Sequence, residues 1–163
     1  MPVHLIALAL LGLPLPNLSV PWGHHSPNPL AGWALHVQTD HFSGAAICSL
    51  TKGRMSYERQ AITFHLPYRI NTFTAVYRID GGPPRAVQDD QMDLARLGFA
   101  LHRDDLANPS GGLVRIPADR LLHAGAISIE TSTKYRPFRF TLNGLPAALD
   151  AAARAGCIAD SFR

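Results

Sequence analysis

Two cysteines are the residues whose chemistry the sequence defines most sharply. Cys48 lies in an apolar run, and Cys157 follows a glycine near the end of the chain. Their separation excludes the local Cys-x-x-Cys pairs of structural zinc sites and of thioredoxin-like redox centres. Two interpretations stay open, a Cys48–Cys157 disulfide or two buried reduced thiols. We predict the disulfide because the N-terminus is typical of an export leader, and closing a loop of roughly 110 residues would contribute about 4.7 kcal/mol.

Catalytic signatures are missing from the sequence. It contains no Gly-x-Ser-x-Gly, no P-loop, no dinucleotide-binding glycine motif after a strand and no His-Glu-x-x-His. A hydrolase with a site built from loop residues stays as an alternative, with His102, Asp104 and Ser110 as the candidates. No catalytic residue and no cofactor is predicted.

Histidines and paired acids are the other groups that could hold a ligand. His24 and His25 could contact a metal, but a third ligand in local spacing is missing, so solvated side chains are the simpler interpretation. Metal or small-ligand binding through histidines is a third hypothesis, and no metal site is predicted. The pairs Asp89-Asp90 and Asp104-Asp105 are interpreted as helix-capping or solvated residues rather than as a carboxylate dyad.

A charged turn provides the candidate binding residues. An alternating run at 73–79 is followed by Asp-Gly-Gly-Pro-Pro, and Asp-Gly between β-rich runs predicts a hairpin. Arg78, Asp80 and Arg85 would flank this turn on the exposed side and could bind a partner. The alternative is that they are solvated edge charges that prevent pairing with another chain.

A second basic stretch precedes the C-terminal helix. Residues 134–139 interleave three cations with Tyr135 and Phe138, a composition that could suit nucleic acid or anionic lipid. Pro137 and the alternating phenylalanines favour an edge strand that packs on a core, and that is the interpretation we adopt.

The first 32 residues predict export. Residues 5–13 form an uninterrupted apolar run, too short to span a bilayer, which needs about 20 residues, but suited to a signal peptide. We therefore predict a signal peptide at 1–20, a Pro/Gly-rich linker at 21–32 and a periplasmic or secreted protein with no transmembrane span after leader removal. The alternative is a cytosolic β-rich ligand-binding domain whose N-terminal element is buried.

Composition bounds the fold and the partners. The chain has 163 residues, which leaves room for a single domain at 33–163. The formal net charge is +3 and the pI is about 9.2. Because the basic residues are scattered rather than concentrated on one stripe, nucleic acid is not predicted as a partner.

Period-two alternation dominates the chain after Trp33. Trp33, Leu35 and Val37 predict a half-buried strand, and the next strand directs Cys48 and Leu50 inward. About eight such strands follow one another without a βαβ rhythm. The prediction is a mainly β fold, an antiparallel sandwich or open barrel with two or three short helices.

Two helices are defined by their apolar spacing. Asp89 is predicted to cap a short helical turn through Leu97, with either Met92 and Ala95 or Leu94 and Leu97 inward. The C-terminal helix begins after Asn143-Gly144 and ends at Gly156. It is predicted to pack against one side of the sheets through Leu145, Ala148, Leu149 and Ala152.

Three segments resemble the invasion-associated locus B family, small exported bacterial proteins of the cell envelope. The first is the leader with the Trp33 strand and a cysteine about fifteen residues on, and the second is the run LVRIPADRLLHAGAISIE after Gly112. The third is FRFTLNGLPAALD. The family usually has more cysteines, including a Gly-Cys where this chain has Gly111-Gly112, and its Gly-Phe is here Gly144-Leu145.

The predicted function follows from export and from the missing catalytic signatures. We expect a non-enzymatic domain that binds a protein or an envelope component. The resemblance implies envelope association or host-cell invasion without known catalysis, with an envelope or host protein as partner.

Overall fold

Two antiparallel β-sheets make up the fold, which confirms the mainly β prediction. The computed structural model describes residues 30–67, 70, 72–100, 112–131, 136–158 and 161–162. The first sheet has the strand order β1-β2-β3-β4-β7 and the second the order β6-β5-β8-β9. The strands are β1 (Ala34–Thr39), β2 (Ala46–Lys52), β3 (Met55–Glu58), β4 (Ala61–His65), β5 (Val76–Ile79), β6 (Arg85–Ala86), β7 (Leu113–Pro117), β8 (Ala126–Glu130) and β9 (Phe138–Thr141).

The helices are short and lie outside the sheets. A 3-10 turn at Val87–Asp90 leads into α1 (Gln91–Arg96), and a second 3-10 turn, Ala118–Arg120, follows β7. The C-terminal helix α2 spans Leu145–Arg154, as its apolar spacing predicts. Over the described residues, no helix is long and apolar enough to cross a membrane.

One hydrophobic core joins the inner faces of the two sheets to α2. The ring of Phe64 on β4 lies 5.0 Å from the ring of Phe140 on β9, so the sheets meet directly. Alternation along the strands explains the core, because successive side chains point to opposite faces. The largest buried members are Trp33, Tyr77, Phe64, Leu50, Ile62, Leu66, Ile116, Leu121, Ile127, Ile129, Leu142 and Leu145.

The hairpin predicted after residue 79 is confirmed. Asp80 and Gly81 both have positive φ angles, 48° and 74°. The backbone N–H of Gly82 donates to the carbonyl oxygen of Ile79, at 2.8 Å, so these two residues form a tight turn at the start of the longer connection, residues 80–84, between β5 and β6. The returning strand β6 is only two residues long, with Arg85 opposite Tyr77 and Ala86 opposite Val76.

Gly144 allows α2 to lie close to the chain that precedes β1. It has a φ of 84°, and a Cβ built at this position would lie 2.6 Å from the carbonyl oxygen of Leu30. Helix α2 then buries Leu145, Ala148 and Ala152, while Leu149 is half-buried.

The predicted disulfide is confirmed. Cys48 in β2 and Cys157 after α2 are bonded, with a Cα–Cα distance of 6.1 Å. The bond fixes the end of α2 to the first sheet, and Phe162 forms an isolated parallel bridge with Cys48. The ring of Phe162 also meets the ring of Tyr57 edge-on, with centroids 4.7 Å apart.

Local predictions have mixed outcomes. Of the two faces proposed for α1, the one with Leu94 and Leu97 inward is confirmed, whereas Met92 is 66% exposed. The capping role of Asp89 is wrong, because no side-chain capping hydrogen bond is made at either short helix. Val37 is 43% exposed because β1 is the edge strand of its sheet. Strand β3 was not anticipated, although Met55 and Tyr57 are both buried in it.

Other predictions concern positions that the structure does not describe. Outside the described residues lie the leader, most of the linker, His24, His25, His102, Asp104, Ser110, Lys134 and Tyr135.

Candidate functional site

A buried polar cluster lies beside α1. Asp90, at the start of this helix, is fully buried and forms an ion pair with Arg120. The hydroxyl of Tyr77 donates a hydrogen bond of 2.8 Å to Oδ2 of Asp90. The other terminal nitrogen of Arg120 lies 2.7 Å from Oδ2 of Asp93. The interpretation of Asp90 as a capping or solvated acid is therefore wrong.

The three elements that meet here explain why the cluster forms. Tyr77 is on the inner face of β5, Asp90 ends the 3-10 turn that leads into α1, and Arg120 ends the 3-10 turn after β7. Burial raises the pKa of Tyr77, although nearby Arg85 and Arg120 oppose the shift. The phenol therefore stays protonated near neutral pH and donates to the carboxylate. A buried carboxylate requires such partners, because burying an unpaired charge is costly.

A surface cleft of about 410 Å³ lies between α1, the 3-10 turn Ala118–Arg120 and α2. Its apolar lining includes Leu97, Leu122 and Leu149. Its charged lining comes from Asp93, Arg96 and Asp119. Asp93 connects the cleft to the buried cluster, because it pairs with both Arg120 and Arg96.

The cleft has the size and the largely apolar composition that ligand pockets usually have. Ligand pockets are mostly apolar and use a few polar groups to fix orientation, with volumes of about 300–1,000 Å³. Asp119 is exposed, and Oδ1 of its carboxylate accepts a hydrogen bond from the backbone N–H of Arg120. Burial raises the pKa of Tyr57, a further lining residue, so its phenol is neutral. Within the described residues, no group of three or more acidic, histidine or cysteine side chains could hold a metal ion.

The residues predicted to bind a partner lie around the turn between β5 and β6. Asp80 accepts hydrogen bonds from the backbone N–H groups of Gly125, at 3.1 Å, and Ala126, at 2.8 Å, and so connects the turn to the start of β8. Arg78 donates to the carbonyl oxygen of Gly82. Arg85 lies opposite Tyr77 and therefore points to the same face of the sheet as Tyr77. Arg78 is the residue after Tyr77 in β5, so its side chain points to the opposite face. The structure therefore brings Arg78 and Asp80 together and separates Arg85 from them.

Ser56 and His65 form a pair on the outer face of the first sheet. Their side chains are 3.2 Å apart, between Oγ of Ser56 and Nε2 of His65. Desolvation lowers the pKa of His65, and Arg115 lowers it further, while Glu58 partly opposes the shift. A neutral histidine could accept the serine proton. Nucleophilic catalysis also needs a third group that orients the histidine. Among the described residues, the hydrogen-bond partner of the His65 ring is Ser56 itself, so the pair does not form a triad there.

Part of the cluster could have been found from the sequence. Val87, Asp90 and Leu94 follow helical spacing, and Val87 and Leu94 are both buried. An acid between two buried apolar residues on one helical face requires a partner. The identity of that partner, Arg120, depends on how distant elements meet.

Comparison of the chain with protein-family models, with curated proteins and with solved structures gives no match.

Proposed function

We propose that this chain is an exported, non-enzymatic domain that binds a protein of the cell envelope or of a host through the cleft between α1 and α2. The observation that carries the proposal is the composition of the cleft, a largely apolar surface bordered by Asp93, Arg96 and Asp119. Two further points support export. Disulfides such as Cys48–Cys157 persist mainly in oxidising compartments, and the N-terminal segment is typical of a leader.

The cleft favours a short segment of a protein partner as its occupant. A volume of about 410 Å³ accommodates a few side chains. An apolar side chain would contact Leu97, Leu122 and Leu149, and a basic group beside it would be attracted to Asp119. The carboxylate of Asp93 is less available, because Arg96 and Arg120 both pair with it.

The resemblance to invasion-associated locus B proteins supports the same kind of partner. Those proteins are small, exported and associated with the envelope, and they have no known catalysis. The segments that carry the resemblance include the 3-10 turn Ala118–Arg120 and α2, so they cover two of the three walls of the cleft.

The binding test uses the oxidised protein as bait in envelope and host-cell extracts. Leu149→Asp places a charge among the apolar lining and should reduce recovery of the bound partner by about tenfold or more, since burying an unpaired charge costs more than the 1.4 kcal/mol that tenfold represents. Ala147→Asp is the matched control, because Ala147 is exposed on another face of the same helix. Circular dichroism confirms that both variants fold.

Two results would contradict the proposal. One is that the wild-type protein and the Leu149→Asp variant recover the same proteins from the extracts, or that neither recovers any. The other is that the protein fractionates with the cytosol and keeps residues 1–20, which would remove export.

A further inference from the structure

The outer face of the second sheet carries a row of polar side chains across three strands. Arg78 of β5 lies opposite Ser128 of β8, and Ser128 lies opposite Arg139 of β9. Residues directly opposite each other point to the same face, with Cβ atoms about 4.5–5.5 Å apart. Two arginines therefore flank one hydroxyl group. Both arginines are exposed, and Ser128 is half-buried.

A surface cleft of about 300 Å³ opens at this row. Its lining contains Arg78, Ser128 and Arg139 together with Asp80, Gly81 and Ala126 from the turn and the start of β8. The row is therefore part of a concave surface rather than of a flat sheet face.

Asp80 is the acidic side chain in this lining, and backbone hydrogen bonds occupy its carboxylate oxygens. Oδ1 accepts from the backbone N–H groups of Gly125 and Ala126, and Oδ2 accepts from Gly125. The carboxylate is thus turned toward the start of β8. Glu130 shares the outer face but lies one row further along, opposite Val76. Two arginines against one engaged carboxylate leave this cleft positive.

We propose that Arg78, Ser128 and Arg139 form a binding site for a phosphate group. Planar guanidinium groups match phosphate oxygens in bidentate geometry, and hydrogen bonds between charged partners are about twice as strong as neutral ones. The Ser128 hydroxyl, between the two arginines, donates to a third oxygen. The hydrogen bond from Arg78 to the carbonyl of Gly82, at 3.2 Å, holds one guanidinium at the edge of the cleft.

The site is independent of the proposed function. It shares no lining residue with the cleft between α1 and α2. The phosphate could belong to a lipid headgroup or to a free phosphate compound, and both present the same oxygens to the arginines.

The first arm of the test titrates inorganic phosphate into the full-length oxidised protein at constant ionic strength, followed by amide chemical shifts. Shifts should concentrate at Gly81, Ser128 and Arg139. The double variant Arg78→Gln/Arg139→Gln should weaken binding by about tenfold or more, because both guanidinium groups that hydrogen-bond the phosphate oxygens are removed. Arg85→Gln is the control for net charge: it removes one arginine from the other face of the sheet, where the double variant removes two from this face, and it should change the affinity by less than about twofold.

The second arm distinguishes the two sources of phosphate. The protein is sedimented with vesicles of phosphatidylcholine alone and with vesicles that contain phosphatidylglycerol. If the wild-type protein sediments with the vesicles that contain phosphatidylglycerol and the double variant does not, the phosphate belongs to a lipid headgroup. Phosphate-induced shifts without sedimentation identify a free phosphate compound.

The proposal is overturned if neither probe binds, or if Arg85→Gln weakens binding as much as the double variant does. The second result would mean that net charge, not the row, attracts the anion. If the double variant fails to fold, the single variants Arg78→Gln and Arg139→Gln decide in the same way, each against Arg85→Gln.

Discussion

The two helices that border the cleft of about 410 Å³ are attached to the sheets by different chemistry. Helix α2 is attached by its apolar face and by the covalent bond from Cys157 to Cys48 in β2. Helix α1 is attached by a small apolar cluster, in which Leu94 packs with Ala61 and Phe99, and by the ion pairs of Asp90 and Asp93 with Arg120.

The two attachments should contribute differently to stability. A disulfide stabilises mainly by restricting the unfolded chain, so its contribution depends on loop length. In a buried ion pair, the attraction between the charges mainly offsets the cost of removing them from water, so the pair adds little to the free energy of unfolding. The loss of one partner is costly because it leaves the other charge buried and unpaired. We therefore expect the α2 attachment to raise the free energy of unfolding, and the α1 attachment mainly to fix the position of the helix.

Removing the disulfide should have the largest effect. The cysteines are 109 residues apart, and a loop of that size corresponds to about 4.7 kcal/mol on chain-entropy grounds. Urea unfolding of the Cys48→Ala/Cys157→Ala variant should show a loss of that order. Reductant should lower the unfolding midpoint of the wild-type protein and leave that of the variant unchanged. Equal midpoints for the oxidised and reduced wild-type protein would contradict the prediction.

Arg120→Met should come next, with a loss of about 3–5 kcal/mol, because it leaves the buried carboxylate of Asp90 without its charge partner. Arg96→Met is the matched control. The side chain of Arg96 is 75% exposed against 18% for Arg120, and exposed pairs contribute about 0–1 kcal/mol.

A double variant separates the cost of an unpaired charge from the value of the pair. Asn at position 90 can still accept the Tyr77 hydrogen bond, so Asp90→Asn/Arg120→Met should recover most of the stability that Arg120→Met loses. If the double variant is no more stable than Arg120→Met alone, the loss comes from the ion pair itself rather than from an unpaired charge, and the proposed contrast between the helices is wrong.

The sequence predicted the attachment of α2 but not that of α1. Alternation along β2 directs Cys48 inward, and the helical spacing of Leu145, Ala148 and Ala152 defines a buried face. Both are local patterns. Because the sequence has two cysteines, Cys157 is the only cysteine with which Cys48 can pair within the chain. The pairing was therefore open to prediction once export was assumed.

The cluster beside α1 depends on contacts that no local pattern contains. Asp90 and Arg120 are 30 positions apart in the chain and lie on either side of β7. They come into contact because β7 pairs with β4 and because the 3-10 turn that follows β7 carries Arg120. The capping or solvated interpretation of Asp90 missed its helical spacing between the buried Val87 and Leu94, and Tyr77 and Arg120 could be assigned to it only from the tertiary structure.

Tyr77→Phe tests the same cluster with a smaller change. The ring remains buried on β5, and only the hydroxyl that donates to Asp90 is lost. The expected loss is about 1–3 kcal/mol, because a buried acceptor loses one of its donors. Amide hydrogen exchange should accelerate more in α1 than in α2, since the change acts on the α1 attachment. Equal acceleration in both helices would show that the two attachments are not separable.

Mild acid should have the smallest effect and should act through neither attachment. Histidine is the side chain whose charge ordinarily changes between pH 5 and 8, and neither attachment contains one. His65, on the outer face of the first sheet, has a pKa lowered by desolvation and then by Arg115. The unfolded chain, with an ordinary histidine pKa of about 6.5, therefore binds more protons than the folded chain below that pH.

The contribution of His65 is thus complete above about pH 6.5 and is lost as the pH falls toward its folded pKa. The free energy of unfolding should decline over that range, and His65→Gln should reduce the slope. His36→Gln, on the exposed edge strand β1, is the control and should leave the slope unchanged. If His65→Gln leaves the full decline in place, the acid sensitivity belongs to other groups, and hydrogen exchange at pH 5 would show whether α1 is released first.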